Sequence, residues 1–176
     1  YTPLSAKMTD VPGHTSYLAS LLNRQGVKFM HLGCNPCCMP PDVPTLFWWQ
    51  GSDGKQILTM YNKGSNGSSI LPPQGWKYPV WLYLAQTNDN LGCHTKEEVE
   101  KLLSTVRKEL PNAEIVIGTL DDFYWELSQY NLHDLPVVRK DLADTWIHGI
   151  GSYPKEVSFL RRIRPMLSVT EQISAL

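Results

Sequence analysis

The chain has 176 residues, of which 42% are hydrophobic and 19% charged, with a formal net charge of −1. This length favours one domain, and the apolar fraction is sufficient to bury a core. The near balance of 16 Lys and Arg against 17 Asp and Glu argues against a nucleic-acid-binding protein that neutralises phosphates. We find neither an apolar run long enough to span a membrane nor a basic-then-apolar leader, and therefore expect a soluble chain without membrane or nucleic-acid partners. Its compartment stays open.

The N-terminal part predicts a helix followed by a strand. Thr15 and Ser16 precede an apolar stripe of leucines, and Gly26 stands where a left-handed residue ends a helix. We therefore expect a helix over residues 17–25 and a strand over residues 27–33.

A proline-rich loop then leads to a predicted β-hairpin. Residues 45–49 and 56–61 are two strand-like runs, and the Asp53-Gly54 pair lies between them. An Asp-Gly pair between two such runs is typical of a tight turn between antiparallel strands.

The central part combines a long polar loop with further predicted strands. Residues 62–78 are rich in Gly, Ser, Asn and Pro, and a loop of this length is often functional or mobile. The continuous apolar run 79–85 predicts a strand buried on both faces. Thr95 with Glu98 forms a capping box before an amphipathic helix, and residues 114–118 predict another short strand.

The C-terminal part predicts two more helices. Thr119 is the expected cap of the first, which carries Phe123 and Leu127 on one face. Pro154 stands near the start of the second, and Pro165 should kink or interrupt it. The alternation of helices and strands favours an α/β protein with largely parallel strands, flanking helices and one hairpin.

Two polar clusters lie in predicted loops. One comes directly before the first helix, and the other comes directly after the apolar run 79–85. One contains Asp10 and His14, and the other contains Asp89. In α/β proteins ligands collect at the carboxyl ends of strands, and two opposed carboxylates are the minimum equipment for cleaving a glycosidic bond. Asp10 with His14 also suits a metal site. The alternative is that both aspartates only cap turns and helices.

The four cysteines leave three alternatives open. Cys34, Cys37 and Cys38 crowd together, whereas Cys93 is more than 50 residues away. A structural zinc site normally has two spaced ligand pairs, and Cys93 with His94 is the only candidate for the second pair. A disulfide and plain reduced thiols are the other two alternatives.

Several motifs resemble the family 38 glycoside hydrolases, the α-mannosidases, and a related uncharacterised branch. Asp10-Val11-Pro12-Gly13-His14-Thr15, followed by an amphipathic helix, is similar to the Asp-Pro-Phe-Gly-His-Ser segment of that family, with Val-Pro in place of Pro-Phe. The likeness runs over nearly the whole chain in the family's order. The other stretches that carry it are 30–35, 43–49, 51–54, 118–123, 135–138 and 144–149.

The resemblance implies a zinc-dependent retaining glycosidase with a carbohydrate substrate, built on a seven-stranded β/α barrel. It makes Asp10 the nucleophile and a zinc ligand, and Asp89 the acid/base. Asp121 and Asp122 are a competing match, which fits better as a helix-capping segment. The family's other zinc ligands, from a His-x-His or His-x-Asp motif and a later His, have no counterpart among the five histidines of this chain.

The resemblance also implies a domain organisation and a pocket. Residues 1–152 match the later part of the barrel, and residues 153–176 a helical segment that leads to a following domain. Trp48, Trp146 and His148 are the residues expected to contact the sugar. Because the chain begins without methionine and lacks the first metal-ligand strand, we expect a fragment with little activity of its own. The alternative is a non-catalytic carbohydrate-binding or structural relative.

Overall fold

A single β-sheet between helices organises the computed structural model, which describes residues 2–87, 90–147 and 153–175. A 3₁₀ turn over Thr145–Ile147 precedes the last helix. The strands and helices, in chain order, are β1 (Ser5–Lys7), α1 (Tyr17–Arg24), β2 (Phe29–Gly33), β3 (Leu46–Gln50), β4 (Gln56–Asn62), α2 (Lys96–Glu109), α3 (Leu120–Leu127), β5 (Val137–Val138) and α4 (Pro154–Ser174).

The five strands form a mixed sheet in the order β1-β2-β4-β3-β5. β1, β2 and β4 are parallel, with Lys7 opposite His31 and His31 opposite Met60. β3 runs antiparallel to β4 and parallel to β5. The carboxyl ends of β1, β2 and β4 therefore meet at one edge of the sheet, which we call the carboxyl edge.

The predicted α/β class agrees with this architecture, but the predicted segment of a seven-stranded β/α barrel is wrong. The described residues form a five-stranded mixed sheet and no closed barrel. The physical reason is the hairpin: β3 folds back on β4 and so occupies the place beside it that a further parallel strand would take. β5 then adds on the outer side of β3 through only two residues.

The predicted strands over residues 79–85 and 114–118 are also wrong. Side-chain bonds take the place of a backbone ladder in the first of these segments. The Ser68 hydroxyl donates to the Leu82 carbonyl at 2.6 Å and accepts from the Leu84 backbone N–H at 2.6 Å. Residues 81–84 are half-buried rather than buried on both faces, so their apolar composition reflects packing on one side only.

Predictions that rested on helix caps and on the hairpin turn are confirmed. Thr95 and Thr119 each form a capping box at the start of a helix, and Gly26 has a φ of 84° just beyond α1. The hairpin joins β3 to β4 as expected. Of the two effects predicted for Pro165, an interruption of the last helix is wrong, because α4 continues through it, and a kink stays a prediction.

Apolar side chains fill both faces of the sheet. On one face α1 covers a core that includes Met30, Phe47 and Trp49. On the other face α3 covers a second core, in which the rings of Phe29 and Phe123 meet edge to face at 5.5 Å. Both faces of the sheet are therefore covered by apolar packing. The loops beyond the strand ends lie outside these cores, where polar side chains are tolerated.

The last helix stands apart from these cores. Within the described ranges α4 packs against no other helix or strand, and none of its described residues is buried. Among the helices of the described ranges, none is both long and apolar enough to cross a bilayer. Whether residues 153–176 lead to a following domain stays a prediction.

His31 is a buried polar side chain within β2. It is fully buried, and neither ring nitrogen has a hydrogen-bond partner in the described part of the chain. Burial, followed by the charge of Lys7, lowers the pKa of His31 from 6.5 to about 3. The imidazole is therefore neutral in the folded protein, since charging it inside the sheet is unfavourable.

We predict that His31 makes the fold less stable in acid. Below its ordinary pKa of 6.5 the unfolded chain binds a proton that the folded chain excludes until the pH approaches 3. The free energy of unfolding should therefore fall over this window by up to about 1.4 kcal/mol per pH unit. Urea unfolding between pH 7 and pH 4 should show a shallower fall in His31→Leu, whereas His133→Gln, which changes an exposed histidine, should match the wild type. Equal slopes in His31→Leu and wild type would contradict this assignment.

Candidate functional site

The carboxyl edge gathers three loops, which follow β1, β2 and β4. The loop after β4 is a turn over residues 63–67 that lies against the end of β2. The backbone N–H of Cys34 donates to the Ser65 carbonyl at 3.3 Å. Gly33 allows this approach, because a Cβ there would collide with the Ser65 carbonyl and the Asn66 backbone. Only a residue without a side chain lets the turn pass so close.

Hydrogen bonds within the turn fix its shape. The Asn62 side-chain amide donates to the Gly67 carbonyl, and the Gly67 N–H donates to the Ser65 hydroxyl at 3.0 Å. The turn therefore presents Asn66 at the carboxyl edge from a defined backbone.

Asp10 lies in the loop after β1 with its side chain exposed. Its φ is 57°, a left-handed conformation that Asp tolerates better than most residues. The Asn66 Nδ2 donates to the Asp10 Oδ1 at 3.0 Å and so links the loop after β1 to the turn after β4.

Lys7 completes this group, which we call the edge cluster: Lys7, Thr9, Asp10 and Asn66. The Lys7 ammonium donates to the Thr9 hydroxyl at 2.8 Å and to the Asn66 carbonyl at 2.7 Å. Burial lowers the pKa of Lys7, and the Asp10 charge opposes that effect. The cluster therefore brings a carboxylate, an amide and a cation together where parallel strands end.

A second polar group lies beside the carboxyl edge. His14 and Leu142 form an isolated antiparallel bridge, and both His14 and Asp144 are buried. Burial lowers the pKa of His14, and the Asp144 charge partly offsets this. The bridge ties the loop after β1 to the segment that carries Trp146.

The structure separates the aromatic residues that the resemblance assigned to a sugar pocket. Trp146 is 37% exposed, and its backbone N–H donates to the Asp144 carboxylate at 2.7 Å. Thr145 bonds to the loop after β2 through Met39, so this segment lies near the carboxyl edge. Trp48 instead lies in the middle of β3, half-buried, and its indole N–H donates to the Leu132 carbonyl at 2.9 Å.

Two predicted site residues, Asp89 and His148, lie outside the described residues, and their assignments stay predictions. The competing aspartates make different contacts. The Asp122 carboxylate accepts from the Thr119 N–H at 2.7 Å as part of the capping box of α3. The Asp121 carboxylate instead accepts from the Leu4 N–H and joins α3 to the segment before β1.

The described residues near Asp10 supply no complete set of zinc ligands. Within the described ranges, no three His, Cys, Asp or Glu side chains group closely enough to hold a metal. Asp10 is adjoined by the Asn66 amide N–H and, through Asn66, by the Lys7 ammonium, which are hydrogen-bond donors and not metal ligands. Among the described residues the resemblance assigns Asp10 alone to the zinc, and the pairing of Asp10 with His14 at a metal stays a prediction.

The cysteines are free thiols. Cys34 is buried, Cys38 is half-buried, and Cys37 and Cys93 are exposed. Burial is the main reason that the pKa of Cys34 is raised. The disulfide alternative is thus not seen among the described residues, whereas the zinc alternative stays a prediction.

Two residues of the edge cluster were missed by the sequence reasoning. Lys7 precedes the Asp10 motif by three positions, in a strand of only three residues. Asn66 lies in the polar loop 62–78, for which a functional role was considered without singling out a residue. One signal in the sequence could have pointed to Asn66: a polar loop follows one apolar strand, and a carboxylate follows another strand.

Similarity to known protein families and curated proteins is a further source of evidence on function. No family model matches it, and no curated protein is significantly similar in sequence. The functional assignment therefore rests on the geometry of the carboxyl edge and on the likeness of its motifs.

We predict that Gly33→Ala displaces the turn over residues 63–67. The added Cβ would collide with backbone, which cannot rotate away, so the variant should lose about 1–3 kcal/mol of stability. Urea unfolding measures this loss. Gly92→Ala is the matched control, because its Cβ would meet nothing within 4 Å. A Gly33→Ala variant as stable as Gly92→Ala would contradict the close approach.

Proposed function

We propose that this chain belongs to a carbohydrate-active hydrolase, a retaining glycosidase of the α-mannosidase type, and carries its nucleophile, Asp10. The observation that carries the proposal is the exposed Asp10 carboxylate, held by Asn66 where parallel strands end. This is the place at which α/β proteins bind their ligands. The motif around Asp10 is also the one that most resembles the nucleophile segment of that family.

The proposed reaction is a double displacement. An Asp10 oxygen attacks the anomeric carbon, the glycosidic bond breaks, and the leaving oxygen takes a proton from an acid. Water, deprotonated by the same acid/base, then attacks the anomeric carbon and releases Asp10. Asp89 is the predicted acid/base, and a retaining mechanism would place its carboxyl about 5 Å from that of Asp10.

The edge cluster suits this role because it orients the Asp10 carboxylate and leaves most of its acceptor sites unoccupied. A carboxylate has about four lone-pair sites, and the bond from Asn66 takes one of them on Oδ1. The remaining sites are available for attack or for a sugar hydroxyl. Lys7 supplies a positive charge near the carboxylate, and the two charges attract each other.

Zinc remains a prediction from the resemblance, and no step of the proposed reaction passes through it. Asp10 would be one ligand, and the described residues supply no complete set. Assays with added zinc and with EDTA test this requirement separately from the role of Asp10.

A second candidate function is carbohydrate binding without hydrolysis. The specific observation that favours it is the same incomplete donor set among the described residues, together with the amide that already bonds to Asp10. Asp and Asn side chains bind sugar hydroxyls by hydrogen bonds whether or not a reaction follows. Hydrolysis and binding therefore need separate measurements.

We predict that Asp10→Asn lowers the rate of hydrolysis of 4-nitrophenyl α-mannoside by roughly 10⁴-fold, as expected for loss of a nucleophile. Asn tolerates the left-handed backbone at this position, so the fold should persist. Asp134→Asn is the control, since its carboxylate also accepts an Asn amide, but within a local turn. Binding of methyl α-mannoside is followed in parallel by NMR shifts of residues 7–10 and 62–67.

Each outcome of this experiment is decisive. Wild-type hydrolysis that Asp10→Asn abolishes and Asp134→Asn preserves supports the hydrolase. Sugar binding at the edge cluster without hydrolysis supports the binding function instead. Hydrolysis that survives Asp10→Asn refutes Asp10 as nucleophile, and a wild type that neither binds nor hydrolyses the two mannosides refutes both functions for this chain on its own.

A further inference from the structure

The Lys7 side chain bonds both to the residue that precedes Asp10 in the chain and to the residue that bonds to the Asp10 carboxylate. It is the last residue of β1, and its ammonium donates to Thr9 at 2.8 Å and to the Asn66 carbonyl at 2.7 Å. Thr9 immediately precedes Asp10 in the chain, whereas Asn66 donates its side-chain amide to the Asp10 carboxylate. The two bonds therefore join the side chain of the residue before Asp10 to the hydrogen-bond partner of its carboxylate.

We propose that Lys7 is a positioning residue for Asp10: its ammonium clamps Thr9 and Asn66 together and so fixes where the Asp10 carboxylate points. This inference rests on the proposed function for its catalytic consequence. Its structural part, the dependence of Asn66 on Lys7, stands independently of any reaction.

Two features of the surroundings make the clamp specific. Gly33 lets the turn over residues 63–67 come close enough for the Asn66 carbonyl to reach Lys7. His31, opposite Lys7 in the strand register, is buried and has no hydrogen-bond partner in the described ranges. The hydrogen bonds of the ammonium therefore go to Thr9 and Asn66, the other members of the edge cluster beside Asp10.

A clamp of this kind needs hydrogen-bond donors with a positive charge and not merely an alkyl stem. Charge-assisted hydrogen bonds are about twice as strong as neutral ones. Methionine would fill the space of the lysine stem without donating, whereas arginine would retain both charge and donors. The comparison of these two substitutions separates hydrogen bonding from packing.

The experiment compares Lys7→Met, Lys7→Arg and the control Lys55→Met, which changes an exposed lysine in the hairpin. The first readout is the NMR signal of the Asn66 side-chain amide and its hydrogen exchange, recorded without a sugar. We expect Lys7→Met to move this signal toward that of a free amide and to speed its exchange at least fivefold. Lys7→Arg and Lys55→Met should resemble the wild type.

The second readout is hydrolysis of 4-nitrophenyl α-mannoside. Misplacing a reacting group by about 1 Å lowers turnover by about 100-fold. We therefore expect kcat to fall 10- to 100-fold in Lys7→Met, with KM within about twofold, and to recover in Lys7→Arg. A smaller folded fraction would also lower the apparent kcat at constant KM, so the folded fraction of each variant is measured by urea unfolding and kcat is referred to folded protein.

An unchanged Asn66 signal in Lys7→Met would overturn the proposal, and so would equal disturbance in Lys7→Met and Lys7→Arg, which would indicate packing. If the wild type hydrolyses no glycoside, the proposed function fails while the Asn66 signal still decides the clamp. If Lys7→Met does not fold, Thr9→Val removes one of the two bonds, and an undisturbed Asn66 signal there would overturn the proposal.

Discussion

The parallel pairing of β1, β2 and β4 is the constraint on which the candidate site depends. Parallel strands end at the same edge, so loops far apart in the chain are brought side by side. Gly33 then decides how close they come, because the turn after β4 passes directly over the end of β2. The hydrogen bond from Asn66 to Asp10, across 56 positions of the chain, is a consequence of these two features.

Local elements of this fold could be predicted from the sequence, but their arrangement could not. Capping boxes and the Asp53-Gly54 turn depend on neighbouring residues, and the helices and hairpin that they predict are present. The apolar run 79–85 misled because composition does not reveal whether a segment finds a backbone partner or, as here, the Ser68 side chain. Whether the strands close into a barrel or form an open mixed sheet depends on pairing between segments that are far apart in the sequence. Local sequence patterns carry no information about such pairing.

The same division applies to the site. Asp10 could be predicted because a carboxylate in a Gly-containing loop before a helix is visible in the sequence. Its partners could not, since Lys7 reaches Asn66 across 59 positions and β1 is too short to show a period. Asp89 and His148 fall outside the described residues. The resemblance therefore pointed to Asp10, whereas only the structure shows that Lys7 and Asn66 lie beside it.

Two different sets of forces hold the core and the carboxyl edge. The cores on both faces of the sheet depend on apolar burial, which scales with area and carries most of the stability. The edge cluster depends on a few hydrogen bonds between half-exposed groups, each worth about 0.5–3 kcal/mol. Substitutions in the core should therefore change stability while leaving the edge geometry intact. Substitutions at Lys7 or Asn66 should change where Asp10 points and cost less stability than core substitutions, because those bonds are few and directional.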